Sequence, residues 1–308
     1  MSQPPPRQVL LPRDVPLGGP RAMTVRRTLP HRDIRTIGAW CFIDDYGPSS
    51  SDDPPMNVPP HPHMGLQTVT WLLQGEVAHR DSTGGQARVL PGELNIMTAG
   101  HGIAHSEYAV GAGPWRGVQT WVALPAEARD LQPGFAHHDD LPTVELPTAP
   151  GSAEVTATVI LGTLAGASSP AQAYTPIVGA ELRTAGAAAA TVVLDPDFEY
   201  GLLALDPGCQ VDGEPLDSGA LLYLGWGNES AAIATDAAAA FLLVGGEPLA
   251  EELVMWWNFV GRNHADIASA RAAWEAGERF GTVVGDAHSP LPAPALPNAV
   301  LQPRPGRR

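Results

Sequence analysis

The sequence predicts an all-β fold of two β-barrels with one short helix near the carboxyl end. Short segments of alternating apolar and polar residues, bounded by Gly, Pro, Asp and Ser, recur along the chain, which is typical of barrel or sandwich strands. Helical periodicity is nearly absent. The chain has 308 residues, and two domains are expected because one domain usually takes about 100 to 200 residues.

The strand pattern occurs in two similar copies. The clearest strand segments are TVTWLLQG, ARVLPGELNIMTAG, GVQTWVALP, ATVILGTLAG, YGLLALDPG and GALLYLGWG. Residues 71–100 and 202–227 each follow the order strand, turn, short polar strand, turn, and a strand entered through glycine. This weak internal repeat indicates two copies of one barrel unit.

Four segments follow from these patterns. Residues 1–136 are predicted to form the amino-terminal barrel, residues 137–152 a polar, Pro-rich linker, and residues 153–260 the carboxyl-terminal barrel. Residues 261–308 are expected to form a helix and an extended Pro-rich tail.

The helix is predicted from the segment NHADIASARAAWEAG. Asn263 can cap its first turn and Gly277 can end it. Ile267, Ala270 and Trp274 share one face, which gives the helix an apolar side for packing.

Charge and composition exclude several classes of function. The net charge of −15 repels a phosphate backbone, so direct nucleic-acid binding is not expected. All 18 basic residues are arginine, which excludes lysine Schiff bases, Walker-type phosphate loops and Ser-Lys catalysis.

Three further observations bear on location. No apolar run is long enough to span a bilayer, and the Pro-rich opening after Met1 lacks the pattern of a signal peptide. Cys41 and Cys209 are far apart and give no disulfide framework. We therefore expect a soluble, cytoplasmic protein with no membrane association.

Two short motifs predict a metal site in the amino-terminal barrel. His61 and His63 lie two residues apart in VPPHPHMGLQ, and His105 and Glu107 lie two apart in GHGIAHSEY. Side chains two residues apart on a strand point to the same face. If the two strands are neighbours in one barrel, three imidazoles and one carboxylate converge on its interior.

The donor types restrict the ion. Three nitrogens and one oxygen without sulfur suit iron, manganese, nickel, copper or zinc, and disfavour calcium and magnesium. Four ligands around an octahedral metal leave two positions for substrate and dioxygen, which makes a redox iron more interesting than zinc. An isolated H-x-H dipeptide is more often structural or accidental, but the second dyad reverses that balance. Because no histidine lies between residues 139 and 263, the second barrel is expected to lack an equivalent site.

Three segments carry a family resemblance. They are VPPHPHMGLQTVTWLLQGEVAHRDSTG, PGELNIMTAGHGIAHSE and GGEPLAEELVMWWNFVGRNHADIASARAAWEAGERFG. In this order and spacing they resemble the pirin family of bicupins, and the resemblance covers essentially the whole chain. It implies two cupin barrels of the jelly-roll type, with iron bound in the first by the matching residues His61, His63, His105 and Glu107.

Two residues depart from the family pattern. Gln67 stands where pirins often keep a glutamate after H-x-H, so the carboxylate ligand must come from Glu107. His101 stands where many pirins have arginine before the third ligand. This change could alter the rim of the pocket or its charge, and His101 is not counted as a ligand.

Three other histidines have competing interpretations. His79 could support a ligand or touch substrate, and it could equally lie on a surface hairpin. His137 and His138 are expected in a solvated loop.

Two groups of aromatic residues also need an interpretation. The block 256–259 is expected to pack between barrel and helix, because large aromatic side chains dominate cores. Trp40, Phe42 and Met56 precede the first histidine pair and could line an apolar mouth above the metal.

The resemblance implies an iron-dependent dioxygenase of the flavonol 2,3-dioxygenase type, since some bacterial pirins cleave quercetin. The 3-hydroxyl and 4-carbonyl oxygens of a flavonol suit a metal with open positions. Glu107, the only carboxylate in the ligand set, is the candidate catalytic base for the hydroxyl proton. Reaction with dioxygen would then open the central ring and release carbon monoxide.

The alternative is a metal-dependent, redox-sensitive regulatory protein. The resemblance implies a transcription factor or a metabolic enzyme as its partner, bound with an affinity that depends on the oxidation state of iron. An open cavity of flavonol width favours the enzyme, whereas a plugged cavity favours the regulator.

Overall fold

The computed structural model describes residues 6–17, 23–49 and 54–307. Within these residues the chain forms 25 strands and one α-helix, so the predicted all-β class with a single carboxyl-terminal helix is confirmed. The first five residues, where the absence of a targeting segment was expected, lie outside the described residues.

The strands are numbered along the chain. The first thirteen are β1 (Gln8–Leu10), β2 (Arg13–Pro16), β3 (Thr24–Leu29), β4 (Trp40–Tyr46), β5 (Asn57–His63), β6 (Leu66–Gln74), β7 (Val77–Asp81), β8 (Gln86–Val89), β9 (Leu94–Thr98), β10 (Ile103–Ala109), β11 (Arg116–Ala123), β12 (Gly134–His138) and β13 (Thr143–Glu145). The others are β14 (Val155–Leu164), β15 (Ala167–Ser168), β16 (Ile177–Thr184), β17 (Ala188–Val193), β18 (Glu199–Ala204), β19 (Cys209–Val211), β20 (Glu214–Leu216), β21 (Leu221–Gly225), β22 (Ser230–Thr235), β23 (Ala239–Gly246), β24 (Val254–Trp256) and β25 (Phe259–Gly261). The helix is α1 (His264–Glu275).

The chain divides into two compact units. The amino-terminal barrel unit comprises Asp14–Arg27, Cys41–Asp139 and Ala250–Arg308. The carboxyl-terminal barrel unit comprises Met1–Arg13, Thr28–Trp40 and Asp140–Leu249. Each unit therefore combines chain segments that are distant in sequence. Local sequence patterns do not predict such a division, because they mark only continuous segments.

The carboxyl-terminal barrel unit is built from two described sheets. The larger has the strand order β1-β21-β18-β23-β16-β14-β13, with β15 added to β14, and the smaller has the order β17-β22-β19-β20. All eight residues of β23 are buried, and Phe241 and Leu243 belong to the apolar core. Strand β1 belongs to this unit because it pairs with β21.

Part of the segment predicted as a linker forms strands. His137 and His138 end β12, which pairs with β9, and Thr143–Glu145 forms β13, which pairs with β14. The His137 Nδ1 atom lies 2.7 Å from the Asn95 side-chain oxygen. The expectation of a loop for these histidines is therefore wrong, because sheet pairing fixes their backbone, while His137 is exposed to solvent as expected.

The amino-terminal barrel unit also has two large sheets. One has the order β12-β9-β6-β11-β4-β3-β2, the other the order β5-β10-β7-β8, and β24 pairs with β25. In the four-stranded sheet, β5 is at the edge. Three prolines fall in β5, which fits this position because proline donates no ladder hydrogen bond.

Helix α1 confirms the predicted caps. The side chain of Asn263 accepts a hydrogen bond from the Asp266 backbone amide, and Gly277 follows the helix with a positive φ of 72°. Ile267 and Ala270 are fully buried, while the Trp274 indole donates to the Leu291 carbonyl oxygen at 2.8 Å. Within the described residues, no helix is long and apolar enough to cross a membrane.

Replacing Phe241 by Ala should destabilise the carboxyl-terminal barrel unit. The ring is fully buried in the apolar core, and removing such a ring typically costs about 3 to 5 kcal/mol because a cavity is left behind. Chemical denaturation measures the change. Val193→Ala, at a side chain 71% exposed, is the control and should change stability by less than about 0.5 kcal/mol. Equal effects of the two variants would contradict the assigned core.

Candidate metal centre

The site begins with the pairing of β5 and β10. In their antiparallel register, His105 faces His61 and Ile103 faces His63. A bulge follows between His105 and Glu107. Directly opposite residues in such a pair point to the same face, so the two histidine motifs converge as the sequence predicts.

The three imidazoles are close to one another. The ring centroids of His61 and His105 are 4.3 Å apart, those of His63 and His105 4.9 Å, and those of His61 and His63 5.0 Å. Their nitrogen ligand atoms all lie within 4.8 Å of one another. All three side chains are buried, so the sequence motifs produce a compact nitrogen-rich centre.

Glu107 lies in the same region, but its carboxylate is close to His105 and His79 rather than to all three imidazoles. Its carboxylate falls within 4.8 Å of ligand atoms of His105 and His79. His105 therefore belongs to both clusters and connects the three imidazoles to the carboxylate. The side chain of Glu107 lines the same cavity as His61 and His63.

Burial keeps the imidazoles neutral. Loss of hydration lowers the pKa of His61 to about 4 and holds the pKa values of His63 and His105 well below their usual range. Metal ions bind the neutral form of histidine. The centre therefore presents unprotonated imidazoles at neutral pH.

The carboxylate experiences the opposite effect of burial. Loss of hydration raises the pKa of Glu107, partly offset by His79 and by a hydrogen bond from Thr70. The Thr70 hydroxyl lies 3.2 Å from Glu107 Oε1 and 2.8 Å from the Gln119 side-chain amide. The Thr70 hydroxyl is thus shared between Glu107 Oε1 and the Gln119 side-chain oxygen.

The unused nitrogen atoms fit a bound cation. His61 Nδ1 lies 2.9 Å from the Pro59 carbonyl oxygen and donates to it, which leaves the lone pair on Nε2. His105 Nε2 is buried and has no hydrogen-bond partner among the described residues. Buried polar atoms are nearly always partnered, so this donor set suits a divalent transition metal.

A cavity of about 620 Å³ adjoins the centre. Its wall carries the three imidazoles and Glu107, together with aromatic and polar side chains. Phe42 and Trp121 stack at a centroid distance of 3.9 Å, and the Trp121 ring meets His63 edge-on at 5.1 Å. The candidate metal ligands thus share the cavity wall with Phe42 and Trp121.

The structure also locates the three other residues singled out near the histidine motifs. His79 is buried and its Nδ1 atom lies 3.3 Å from His105 Nδ1, which excludes the surface-hairpin interpretation and supports the role beside a ligand. His101 instead contacts the Gln132 side chain. Gln67 donates to the Thr98 hydroxyl at 3.0 Å.

The aromatic expectations hold in part. Trp256 and Trp257 pack against the cluster that contains Phe259 and the helix residue Ile267, as expected. Trp257 also lines the cavity. Its backbone has a positive φ of 52°, a conformation that sequence periodicity does not reveal.

The three residues expected to line the mouth of the cavity lie in different parts of the structure. Phe42 lines the cavity, whereas Met56 belongs to an apolar cluster with Tyr46. The Trp40 indole donates to the carbonyl oxygens of Val178 and Gly245, so Trp40 is a core residue of the carboxyl-terminal barrel unit.

Sequence reasoning missed several cavity residues, and four of them have polar or aromatic side chains. They are Arg27, Gln119, Trp121 and Asn258. Gln119 and Trp121 alternate on β11, which was a usable signal, because strand residues two apart face one side. The sequence contains no comparable signal for Arg27 or Asn258, which come from distant chain segments.

Comparison with known proteins identifies the family. The pirin family profile matches residues 22–122, and the profile described as the pirin C-terminal cupin domain matches residues 179–281. A Pseudomonas aeruginosa protein, named as a proposed quercetin 2,3-dioxygenase, is 44% identical over 284 residues, which cover 91% of this chain and 88% of that protein. The chain belongs to the pirin family.

Solved structures confirm the architecture of this pirin. A crystal structure of quercetin 2,3-dioxygenase from Acinetobacter baumannii is 36% identical and covers 96% of this chain and 97% of its own, with a TM-score of 0.89. A bacterial pirin from Escherichia coli in complex with nickel(II) is 16% identical and covers 79% and 100%, with a TM-score of 0.57, and shares the fold. The predicted pair of cupin barrels is confirmed.

The metal-free pirin should lose stability as the pH falls from 6.5 towards 4. The pKa of His61 is about 4 in the folded state against an ordinary value of 6.5, so the unfolded chain binds more protons in this range and acid favours unfolding. The contribution of His61 is roughly 3 kcal/mol, at about 1.4 kcal/mol for each pH unit.

Denaturation of metal-free protein at several pH values tests this dependence. His61→Asn should flatten the slope of unfolding free energy against pH between 4 and 6.5, whereas His101→Asn, outside the cluster, should leave it unchanged. A His61→Asn slope as steep as that of the parent protein would show that His61 is not held neutral by burial.

Proposed function

We propose that this pirin is a mononuclear iron dioxygenase that cleaves flavonols such as quercetin, with His61, His63, His105 and Glu107 as metal ligands. The observation that carries the proposal is the cavity of about 620 Å³ whose wall contains all four side chains. Small-molecule sites typically measure about 300 to 1,000 Å³. The names of the 44% and 36% identical relatives support the same activity.

The ion is proposed to be Fe(2+). The donor set of three imidazoles and one carboxylate also suits Mn, Ni, Cu or Zn, and iron is favoured because the proposed reaction uses dioxygen. When bound, the metal would supply a position for the flavonol oxygens and a redox centre for dioxygen.

Glu107 is the proposed catalytic base for the flavonol 3-hydroxyl proton. Its carboxylate is buried and lies within 4.8 Å of a ligand atom of His105, which places a proton acceptor beside the proposed ion. Thr70 donates to Oε1 and fixes the orientation of the carboxylate, and Gln119 in turn contacts Thr70.

The walls of the cavity suit a planar aromatic substrate. Trp121 and Phe42 present a rigid stacked pair beside the imidazoles, and Trp257 adds a further ring. The Arg27 guanidinium lies 4.3 Å above the Phe42 ring and makes two hydrogen bonds of 2.7 Å to Asp44. This pairing with a buried carboxylate holds the wall in place.

The cavity supports the enzyme over the regulatory protein. A protein that acts only through partner binding does not need an open space beside the ligands, and here a cavity of about 620 Å³ adjoins the proposed ligands. The proposal also places the protein in the cytoplasm, which two buried free cysteines support.

Iron-loaded protein should bleach the absorption band of quercetin with uptake of dioxygen and release of carbon monoxide. Glu107→Gln should lower kcat by roughly 10²- to 10⁴-fold at saturating iron, because the amide cannot accept the proton. Glu127→Gln, at an exposed position, is the matched control and should retain full activity. Iron-loaded parent protein that leaves quercetin intact would refute the flavonol assignment.

Removing one imidazole should abolish stoichiometric metal binding. His63→Ala takes away one of three converging nitrogen donors, and elemental analysis should fall from about one ion per chain to well below one, since metal sites depend on their full ligand number. His264→Ala removes a histidine at the start of α1, away from the cluster, and should keep the parent metal content. Equal metal content in His63→Ala and the parent would place the ion elsewhere.

A further inference from the structure

A second pair of buried residues lies directly behind the proposed metal ligand His105. Strand β7 pairs with β10 on the side opposite to β5, and its register sets Asp81 opposite His105 and His79 opposite Glu107. The side chains of His79 and Asp81 are each about 2% exposed. Burial of a histidine and a carboxylate at this place requires a partner for each.

The two side chains continue a hydrogen-bonded chain from the ligand. His105 Nδ1 lies 3.3 Å from His79 Nδ1, and His79 Nε2 lies 3.3 Å from Asp81 Oδ2. The other carboxylate oxygen, Asp81 Oδ1, accepts from the Thr83 backbone amide at 2.8 Å, the Thr83 hydroxyl at 2.6 Å and the Gly85 amide at 3.0 Å. Three donors on one oxygen favour the ionised carboxylate.

With His79 as the neutral imidazole, an ionised Asp81 carboxylate fixes every proton in the chain. Asp81 can only accept, so His79 carries its hydrogen on Nε2 and donates it. His79 Nδ1 is then an acceptor and requires the hydrogen of His105 Nδ1. The lone pair of His105 is therefore left on Nε2, the buried atom without a partner among the described residues.

Packing holds the middle ring in the required plane. The His79 ring stacks on Phe135 with a centroid distance of 4.3 Å and an interplanar angle of 10°. Gly85 makes the close approach possible, because a Cβ atom there would lie 2.2 Å from Asp81 Oδ2 and 2.9 Å from Phe135 Cβ. Any larger residue at position 85 would displace the carboxylate or the ring.

The same contacts argue against His79 as a metal ligand. Its nitrogen atoms lie within 4.8 Å of ligand atoms of His105 and Glu107, so that alternative exists geometrically. Both ring nitrogens, however, are already used in the chain to His105 and Asp81. A histidine with no free lone pair cannot bind an ion.

We propose that Asp81 and His79 form a relay that positions His105, holding it as the tautomer that binds metal through Nε2 and strengthening it as a donor through the negative charge of Asp81. The inference rests on the proposed metal site. A hydrogen-bonded carboxylate raises the basicity of a ligating imidazole. The relay thereby increases metal affinity and favours the oxidised form of a bound iron.

Four variants separate these roles from simple packing. Asp81→Asn removes the charge at nearly constant shape. His79→Gln keeps an acceptor for His105 Nδ1, whereas His79→Phe keeps the stacked ring and removes the acceptor. His137→Gln is the matched control, because His137 contacts Asn95 on a different strand pair. Thermal denaturation of each variant confirms that it is folded.

The readouts are the dissociation constant of Fe(2+), measured against a chromophoric chelator, and the reduction potential of the iron-loaded protein. We expect roughly 10- to 100-fold weaker binding for Asp81→Asn and His79→Phe, with intermediate loss for His79→Gln. Asp81→Asn should also shift the potential to a more positive value, because less negative charge reaches the ligand. The His137→Gln control should match the parent protein.

Two results would overturn the relay alone, and a third would refute the proposed metal site together with the relay. Parent affinity and potential in folded Asp81→Asn and His79→Phe would show that the chain is structural only. If the absorption spectrum of cobalt-substituted His79→Phe showed one nitrogen ligand fewer than that of the cobalt-substituted parent protein, His79 would be a metal ligand. Absence of any divalent metal from the parent protein would refute the metal site itself and the relay with it.

Discussion

The antiparallel pairing of β5 with β10 is the constraint on which the centre depends. It places His61 directly opposite His105, so two motifs more than forty residues apart in sequence bring the proposed ligands to one face. A slip of one residue would turn one set of side chains to the other face of the sheet. The pairing therefore decides whether any site exists.

The prolines of β5 belong to the same constraint. Pro62 lies opposite Ala104 at the sheet edge, where its missing amide removes no ladder bond from a further strand. The Pro59 carbonyl oxygen faces His61 Nδ1 at 2.9 Å. The edge strand thus limits the addition of a further strand. It also fixes the tautomer of His61, as we propose that Asp81 and His79 do for His105.

Burial makes the arrangement costly without an ion. Three imidazoles and one carboxylate lose hydration together, and an uncompensated buried polar group costs free energy. The lowered pKa values of the histidines and the raised pKa of Glu107 express that cost. A divalent cation reverses it, since positive charge stabilises the carboxylate and engages the lone pairs.

The sequence predicted those parts of the site that depend on local periodicity. Two residue pairs at a spacing of two were enough to predict converging ligands, because strand geometry has that period. His79 stayed ambiguous, since its burial depends on β7 pairing with β10. Core packing was the preferred expectation for Trp257, whose place in the cavity wall and positive φ are not encoded by periodicity.

The domain organisation explains why substrate contacts are harder to predict than ligands. The ligands all come from Cys41–Asp139, but the cavity wall also takes Arg27 from the first segment and Trp257, Asn258 and Leu291 from the last. The chain leaves the amino-terminal barrel unit after residue 139 and returns to it at residue 250. The proposed metal ligands are therefore encoded by one continuous segment, while the shape of the cavity is encoded by all three.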